Sequence, residues 1–416
     1  MNDWKSVFAG KKITVMGLGV LGRAVGDAKF LAENGAELIV TDLKSEIELA
    51  ESLKILKPFT NSTYRLGGHD RADFKNRDFI LKAAGVPLDS AFIAEARKNK
   101  IPIKMSASWF AELAGTPIVG ITGTRGKTTT TMMLDGIMRA ARMQVLLGGN
   151  IRGVSTLALL PQVTQNSIAL MELDSWQCRG FGDVGISPSV AVFTTFLDDH
   201  LNYYHGDRGA YLADKAQIFL HQKPEDTLII SEQVIPSLEK YKNNMLSHVI
   251  VAKIQNLDLS ILGTHNQLNA SCAFEAARAL GIDDDISLQA LKNFKGVPGR
   301  LELIREYQGI KIYNDTTATT PEATLVALDV LGDDRTILIM GGADKGLDMS
   351  ALEARLPRVK KVIHLGRDLA SAVHEAMASA DPGDTVLFSP AFASFGMFKN
   401  EYDRGDQFVK IVNALA

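Results

Sequence analysis

Cysteine is almost absent from this 416-residue sequence, which contains only Cys178 and Cys272. Two cysteines so far apart exclude a disulfide scaffold and a four-cysteine zinc site, and they are typical of a reducing compartment. Long apolar runs are also missing, since no segment approaches the ~20 residues that a membrane-spanning helix needs. We therefore expect a cytoplasmic protein without a membrane partner.

An excess of charge of either sign is missing as well. The formal net charge is −3, from 48 acidic and 45 basic residues. A chain this close to neutrality has no general electrostatic attraction to nucleic acid, so we expect no nucleic-acid partner. Its 46% hydrophobic and 22% charged residues are typical of a globular protein with a full core. The length predicts two or three domains.

The sequence does contain a sustained alternation of β-rich and helical segments. "KITVMGLG" is a β-rich run that ends in glycines, "LGRAVGDAKFLAENG" has helical spacing, and "ELIVTD" is a second predicted strand. Similar alternation continues along the chain, which predicts the α/β class with three domains. These are a Rossmann-like domain at 1–102, a central P-loop ATPase-like domain with a parallel sheet at 103–296, and a Rossmann-like domain at 297–416.

A first glycine-rich turn follows the first predicted strand. Gly17, Gly19 and Gly22 form a G-x-G-x-x-G pattern, and Asp42 lies 20 residues beyond Gly22, at the end of the next strand. Glycines let the backbone approach a pyrophosphate, and the acidic residue can accept a hydrogen bond from a ribose. The pattern does not distinguish NAD from a UDP group. A tight turn that merely requires small residues is the alternative interpretation.

A second glycine-rich turn, "GTRGKTT", satisfies the P-loop pattern between a strand and a helix. Backbone N–H groups of such a loop surround phosphates, Lys127 balances their charge, and the Thr128 hydroxyl can bind Mg²⁺. The pattern therefore predicts ATP and Mg²⁺ as cofactors. It leaves an ATPase, a kinase and a ligase open.

Acidic residues follow two further strands of the central domain. Glu172 and Asp174 lie in "MELDSWQ", and Asp198, Asp199 and His200 lie in "VFTTFLDDHLNYYHG". The carboxyl ends of parallel strands are where α/β sheets bind ligands. Carboxylates and an imidazole near a P-loop suit Mg²⁺ and the positioning of a reacting phosphate. Any one of these residues could equally be a polar loop residue exposed to solvent, but their joint position beside a nucleotide loop favours the functional interpretation.

Eleven landmarks, spread over nearly the whole chain, resemble the Mur ligases in content and order. They include "GITGTRGKTTT", "GGNIRG", "AYLADKAQIF", "GTHNQLNA", "YNDTTATTPEAT" and "SPAFASFGMFKNEYDRGDQF". Mur ligases are ATP-dependent amino acid ligases of peptidoglycan precursor synthesis, and the landmarks are most similar to the D-glutamate-adding branch. The resemblance implies that ATP phosphorylates the carboxylate of UDP-N-acetylmuramoyl-L-alanine. The amine of D-glutamate then attacks the acyl phosphate to give an amide, ADP and phosphate, and the enzyme is expected to be a monomer.

The resemblance also implies roles for individual residues of the central domain. Lys215 would be interpreted as an exposed helix lysine from its residue type alone, whereas the family carbamylates the matching lysine to serve Mg²⁺. The implied catalytic residues are Lys127, Asp199, His200 and Lys215, and the implied metal ligands are Thr128, Glu172, His200 and Lys215. The implied ATP-binding residues are Gly123, Thr124, Gly126, Lys127, Thr128, Thr129, His265, Asn266, Asn269, Arg300 and Asp315.

Substrate contacts are implied in all three domains. The glycine turn would hold the uridine diphosphate end, Asn150 the alanyl end, and Lys345 with Ser394 the glutamate carboxylates, for which a cation and a hydroxyl are chemically suited. The full implied set is Gly17, Gly19, Asp42, Asn150, Asp174, Thr319, Lys345, Ser394 and Phe395.

Several positions depart from the family pattern. Arg125 stands where Asn or His is usual, Asp174 replaces a serine, Thr317 replaces a lysine, and Glu401 replaces an aromatic residue. The changes near the glutamate site leave open a ligase that adds L-glutamate or another amino acid. Folylpolyglutamate synthase shares the central and C-terminal domains but lacks the N-terminal glycine-rich domain, so residues 12–110 argue against that enzyme. A catalytically silent nucleotide-binding regulator remains an alternative from a different class, although it has no need of the whole set of catalytic residues.

Overall fold

A computed structural model describes residues 3–19, 22–199, 203–366 and 368–415. His200, a predicted catalytic residue and metal ligand, lies outside the described residues. The chain divides into two compact units, the first formed by Met1–Asp258 with His265–Asn293 and the second by Leu259–Thr264 with Phe294–Ala416. Within the described ranges, none of the helices combines the length and apolar character that a membrane crossing requires.

The first sheet has five parallel strands in the order β3-β2-β1-β4-β5. Its strands are β1 Lys12–Met16, β2 Glu37–Asp42, β3 Ser62–Leu66, β4 Phe79–Lys82 and β5 Ile103–Lys104, so the sheet runs past the predicted domain end at residue 102. Its helices are α1 Lys5–Phe8, α2 Arg23–Glu33, α3 Ala50–Leu56 and α4 Ala91–Lys98. The strand order reverses beside β1, which places the glycine-rich turn after β1 at the usual ligand crevice of such a sheet.

The second sheet, in the same compact unit, has six parallel strands in the order β11-β10-β9-β6-β8-β7. Its strands are β6 Ile118–Thr122, β7 Gln144–Gly149, β8 Ser167–Glu172, β9 Val190–Phe193, β10 Thr227–Ser231 and β11 His248–Ala252. Every residue of β6 is buried, as expected for a central strand with helices on both faces. The P-loop after β6 therefore lies between the carboxyl ends of β8 and β9.

Seven α-helices accompany this second sheet in the described chain: α5 Ser106–Ala114, α6 Lys127–Ala140, α7 Ser175–Asp183, α8 Arg208–Ala216, α9 Ile235–Leu238, α10 Thr264–Ala279 and α11 Asp284–Lys292. Short 3₁₀ segments occur at Arg71–Phe74, Leu157–Gln162, Glu232–Val234, Glu239–Asn244 and Leu356–Arg358. Buried side chains from both sheets of the unit belong to one hydrophobic cluster, which joins them into a single body.

The second unit contains a five-stranded sheet in the order β12-β13-β16-β14-β15, in which the β12–β13 pair is antiparallel and the other pairs are parallel. Its strands are β12 Glu302–Tyr307, β13 Ile310–Asn314, β14 Thr336–Met340, β15 Lys361–His364 and β16 Thr385–Phe388. Helices α14 Leu369–Ala378 and α15 Glu401–Asn413 contribute to one hydrophobic cluster, and α12 Pro321–Leu331 and α13 Ser350–Arg355 to another. Alternate strand residues supply the two clusters, because successive side chains point to opposite faces. The α/β class predicted from the sequence is confirmed.

Candidate functional site

The glycine turn after β1 is shaped by Asp42. The Asp42 Oδ2 atom accepts hydrogen bonds from the backbone N–H groups of Leu18, at 2.7 Å, and Gly19, at 3.0 Å. Its Oδ1 atom accepts from the Lys44 N–H at 2.8 Å. The Oδ2 atom thus holds the backbone of the turn, whose Gly17 and Gly19 have φ angles of 88° and 62°, and the Oδ1 atom holds the backbone just after β2. The predicted ribose contact of Asp42 stays a prediction, and the loop-shaping role was not predicted.

The P-loop requires glycine at two places because other elements pack directly against it. A Cβ atom on Gly123 would collide with the Thr194 hydroxyl at the end of β9, and one on Gly126 with the Asn269 carboxamide on α10. Gly126 also has a φ of 85°, which L side chains rarely adopt, and it caps the N-terminus of α6. Helix α6 therefore points the N–H groups of its first turn at the place where phosphates bind in such loops.

Two lysine side chains meet at one carbonyl oxygen of the P-loop. The Lys127 Nζ atom donates to the Gly123 carbonyl at 2.9 Å and to the Thr124 carbonyl at 3.0 Å. From α8, the Lys215 Nζ atom donates to the same Gly123 carbonyl at 2.9 Å and lies 5.0 Å from the centre of the Tyr211 ring. The structure thus brings the two predicted catalytic lysines together.

Lys215 is only 1% exposed, so the interpretation of this residue as a surface lysine is wrong. Burial, reinforced by the nearby positive charge of Lys127, lowers the pKa of Lys215 to about 7. A substantial part of this amine is then neutral near pH 7, and only a neutral amine is nucleophilic. The buried position therefore gives Lys215 a reactivity that an exposed lysine lacks.

Glu172, the last residue of β8, provides a buried carboxylate beside the P-loop. It pairs in register with Ile121 of β6 and is 2% exposed. Its Oε1 atom accepts from the Asn150 Nδ2 atom at 3.0 Å, while Oε2 has no hydrogen-bond partner among the described residues. A buried carboxylate oxygen without a donor is costly unless a cation is bound, so this residue fits Mg²⁺.

No cluster of three or more His, Cys, Asp or Glu side chains suited to a metal occurs in the part of the chain that the structure describes. The predicted Mg²⁺ ligands do not require such a cluster, because Thr128 offers a hydroxyl and Lys215 would act as a carbamate. Mg²⁺ sites for nucleotides commonly take few protein ligands and complete their shell with phosphate and water. The donor set present therefore remains compatible with Mg²⁺.

Asp199 is held against the P-loop by Arg125. The Arg125 Nη1 atom lies 2.9 Å from Asp199 Oδ2. Thr195 fixes the Arg125 backbone, since its hydroxyl accepts from the Arg125 N–H at 2.8 Å and lies 3.0 Å from the Arg125 carbonyl oxygen. The unusual arginine thus has a structural explanation, because it joins the P-loop to the segment after β9.

Helix α10 packs against the start of α6, the helix that follows the P-loop. Asn269 and Asn266 are both buried and hydrogen-bond to each other at 3.1 Å, and Thr130 of α6 approaches the Asn269 carboxamide at 3.5 Å. Burial lowers the pKa of His265 at the start of this helix, which favours the neutral imidazole. The asparagines predicted to lie beside the adenine are therefore near the P-loop, and the adenine contact itself stays a prediction.

Asp174 has a clear local role as the N-cap of α7. Its Oδ1 atom accepts from the Gln177 N–H at 2.8 Å, and the Asp174 N–H donates to Gln177 Oε1 at 3.2 Å. This reciprocal capping box satisfies two backbone donors at the helix start. Aspartate is as good a cap as serine, which explains why the departure at this position is tolerated.

In the second unit, the loops predicted to bind glutamate lie side by side. The Lys345 Nζ atom is 3.3 Å from the Thr319 hydroxyl. Ala343 and Ala393 form an antiparallel bridge, which places the loop of Lys345 next to Ser394. Ser394 is 4% exposed, whereas the neighbouring Phe395 is 69% exposed.

Asp315, predicted to reach ATP, is buried beneath these loops. Its Oδ2 atom accepts from the Ser389 hydroxyl at 2.8 Å and its Oδ1 atom from the Leu301 N–H at 3.1 Å. Burial raises the pKa of Asp315 to about 7, against the opposing effect of these hydrogen bonds and of Arg300. The carboxyl group thus fixes the segment that carries Arg300, and its contact with ATP stays a prediction.

One residue that organises this region, Arg404 of α15, was not predicted. It is fully buried and donates to the carbonyl of Thr316 at 2.8 Å, to the Thr316 hydroxyl at 3.2 Å and to the carbonyl of Phe392 at 3.1 Å. Burial lowers its pKa to about 10. This arginine ties the loop after β13 to the loop that carries Ser394.

Comparisons with known proteins find similarity over nearly the whole chain. Residues 11–104 match the Mur ligase MurD-like N-terminal domain, residues 121–250 the Mur ligase middle domain, and residues 299–372 the Mur ligase glutamate ligase domain. UDP-N-acetylmuramoylalanine–D-glutamate ligase of Roseiflexus sp. (strain RS-1) is 34% identical over 98% of this chain and 99% of its own. The enzyme of the same name from Borreliella burgdorferi is 33% identical over 96% and 97%.

The fold is also similar to solved structures. The MurF ligase of Thermotoga maritima, crystallised in complex with ADP, superposes with a TM-score of 0.58 at 18% identity. The match covers 98% of this chain and 95% of that one. At this level of identity the likeness shows a shared fold.

Proposed function

We propose, from the premise that this chain belongs to the Mur ligase family, that it is an ATP-dependent ligase that joins D-glutamate to UDP-N-acetylmuramoyl-L-alanine in peptidoglycan precursor synthesis. The observation that carries the proposal is the buried Lys215 on the Gly123 carbonyl of the P-loop. An ATPase or a silent nucleotide sensor has no need of a second, buried lysine at that carbonyl. Similarity at 33–34% identity to enzymes named for D-glutamate supports the choice of amino acid.

In the proposed reaction, the P-loop binds the phosphates of ATP. The N–H groups at the start of α6 and the Lys127 ammonium balance the charge of the β and γ phosphates. Transfer of the γ-phosphoryl group to the alanyl carboxylate forms a mixed anhydride and releases ADP. The D-glutamate amine then attacks the acyl carbon, loses a proton and expels inorganic phosphate, which leaves the amide.

Lys215 supplies negative charge at this site only after a covalent change. The neutral amine attacks CO₂ to form a carbamate, and the nitrogen releases one proton. A buried cation thereby becomes an anion that can serve as a metal ligand with Glu172, Thr128 and His200. Mg²⁺ held there would neutralise phosphate and carboxylate charge as the phosphoryl group moves.

The remaining contacts of the proposal are divided between the two units. In the first unit, Gly17, Gly19 and Asn150 bind the nucleotide sugar. Asp199 acts as a catalytic residue together with the two lysines at the P-loop. In the second unit, Lys345 with Thr319 and Ser394 bind the two carboxylates of D-glutamate. The exposed Phe395 would cover the amino acid from solvent.

We further propose that the enzyme acts as a monomer in the cytoplasm. The proposed ligands of ATP, nucleotide sugar and amino acid are all found within one chain. ATP is a cytoplasmic substrate, and the two buried free cysteines are compatible with a reducing compartment.

A phosphate-release assay tests the proposed function. Purified protein would receive ATP, Mg²⁺ and UDP-N-acetylmuramoyl-L-alanine, with D-glutamate, L-glutamate and other amino acids added one at a time. We expect release that depends on the nucleotide sugar and on D-glutamate. Release with L-glutamate but not D-glutamate contradicts the proposed specificity, and the absence of release with every amino acid contradicts the ligase.

Replacement of Lys345 by alanine should weaken glutamate binding selectively. We expect the KM for D-glutamate to rise about 10- to 100-fold, because a charge-assisted contact to a carboxylate contributes about 1.5–3 kcal/mol. The KM for ATP should change little. Lys410→Ala, at an exposed lysine of α15 in the same unit, is the matched control and should leave both values unchanged. An unaltered KM for D-glutamate in Lys345→Ala contradicts the assignment.

A further inference from the structure

Arg23, the first residue of α2, lies directly behind the glycine-rich turn of the first sheet. Gly22, the last glycine of the pattern, caps the helix with a φ of 83°, a conformation that L side chains rarely adopt. The side chain of Arg23 extends away from its own sheet, and its Nη1 atom donates a hydrogen bond to Asn150 Oδ1 in the loop after β7 of the second sheet. The residue therefore connects the two sheets of the first unit.

The hydrogen bond from Arg23 fixes the orientation of the Asn150 carboxamide. Because Oδ1 faces a guanidinium, Nδ2 faces the opposite way, and it donates to Glu172 Oε1 at 3.0 Å. The Asn150 N–H also donates to the Glu172 carbonyl at 2.7 Å. If the carboxamide flipped, its oxygen would face the Glu172 carboxylate, and an acceptor would repel an anion. Arg23 therefore keeps the Asn150 amide as the donor to Glu172 Oε1, while Oε2 stays without a donor among the described residues.

Helix α2 is anchored to the second sheet at a further point, one turn along. The Asp27 Oδ1 atom accepts from the Ser106 hydroxyl at 2.7 Å and from the Ser155 hydroxyl at 2.6 Å. Gly26 packs so closely on Ser155 that a Cβ atom there would lie 2.7 Å from the serine Cβ. The helix start thus has little freedom to shift without disturbing the loop that carries Asn150.

We infer that Arg23 is a positioning residue that couples occupation of the glycine-rich turn to the affinity of Glu172 for a divalent cation, through the Asn150 carboxamide. The inference rests on the proposed function, since it assigns the turn to the nucleotide sugar and Glu172 to Mg²⁺. A ligand bound at the turn adds contacts at the start of α2, where Arg23 holds Asn150 and leaves Glu172 Oε2 available to a cation. Thermodynamic linkage requires that the cation strengthens nucleotide-sugar binding by the same factor.

The experiment measures Mg²⁺ binding by calorimetric titration of the protein saturated with ADP, with and without UDP-N-acetylmuramoyl-L-alanine. For the unmodified protein we expect the nucleotide sugar to tighten Mg²⁺ binding by about 5- to 30-fold, a usual size for coupling between sites. Arg23→Ala should weaken Mg²⁺ binding about 10-fold, as removal of supporting contacts to metal ligands does. It should also reduce the coupling factor to about one.

Asp27→Asn is the matched control, because it changes the other anchor of α2 and keeps an oxygen that can accept from both serines. Its coupling factor should equal that of the unmodified protein. Arg23→Lys, which keeps a cationic donor of shorter reach, should retain part of the coupling and serves if Arg23→Ala does not fold. An unchanged factor in the Arg23 variants, or an equal loss in Asp27→Asn, overturns the inference.

Turnover with D-glutamate, measured on the same unmodified sample, distinguishes this inference from the proposed function. Turnover together with unchanged coupling in the Arg23 variants rejects the role of Arg23 alone. Absence of turnover in the unmodified protein rejects the proposed function, and with it the coupling that depends on it.

Discussion

Lys215→Ala should lower the rate of ligation about 10³-fold while the protein remains folded. The lysine is buried on the Gly123 carbonyl, and its carbamate would provide an anion at the point where phosphate and carboxylate charges meet. Loss of one preorganised electrostatic group in an active site commonly costs ~10²–10³ in rate, and a lost metal ligand costs at least as much. Phosphate release under saturating substrates measures the effect.

Short carboxylates should restore part of the activity of Lys215→Ala, because the truncated side chain leaves room for an anion that replaces the carbamate. Lys223→Ala, at an exposed lysine of the same domain, is the control and should be fully active with no response to added carboxylate. Full activity of Lys215→Ala without any carboxylate contradicts the carbamate.

The pH dependence follows from the lowered pKa of Lys215. Carbamylation needs the neutral amine, so activity limited by CO₂ should rise as the pH increases through about 7. The folded-state pKa lies below the ordinary value of 10.5, so the unfolded chain binds more protons between these pH values. Stability of the uncarbamylated protein should therefore increase with pH over that interval, and this contribution should be absent in Lys215→Ala. Denaturant titrations in CO₂-free buffer at a series of pH values measure it.

Part of the site could be predicted because its residues occupy positions that the topology defines. The P-loop and Glu172 follow buried strands, and the carboxyl ends of parallel strands meet at one edge of a sheet. The burial of Lys215 had a signal that sequence reasoning did not use. Tyr211, Leu212, Lys215 and Ala216 are the buried residues of α8, and their spacing places the lysine on the apolar side of the helix.

Arg404 shows the same missed signal, since it shares the buried side of α15 with Phe408 and Val412, at intervals of four residues. A charged residue within an apolar stripe indicates a buried partner, although it does not say which one. The partner of Asp42 could not be predicted at all. Whether its oxygens bind a ribose or the backbone of Leu18 and Gly19 depends on the path of the turn, which the glycine spacing leaves open.

Glu172→Gln should reduce the rate of ligation about 10³-fold and yet make the ligand-free protein more stable. The substitution keeps the shape of the side chain, and the new amide oxygen can still accept from Asn150. It removes the negative charge that a divalent cation requires of this ligand, so the catalytic loss should follow. The Oε2 atom of Glu172 is buried without a hydrogen-bond donor among the described residues, and a neutral amide is less costly to bury than such a carboxylate oxygen. We expect the free energy of unfolding to rise by about 1 kcal/mol.

Phosphate release measures the rate. Two denaturant titrations of each protein, one with ADP alone and one with ADP and Mg²⁺, together with one without ligand, measure the stability and its response to the cation. The unmodified protein should gain stability when Mg²⁺ is added to the ADP complex, because a ligand that binds only the folded state stabilises it. Glu172→Gln should lose most of that gain, whereas Glu225→Gln, at an exposed position, should behave as the unmodified protein. If Glu172→Gln is more stable and shows no Mg²⁺ effect, the charge of Glu172 destabilises the ligand-free protein and serves to bind the cation. A variant that is less stable and still responds to Mg²⁺ means that Glu172 serves the fold and that the cation binds elsewhere.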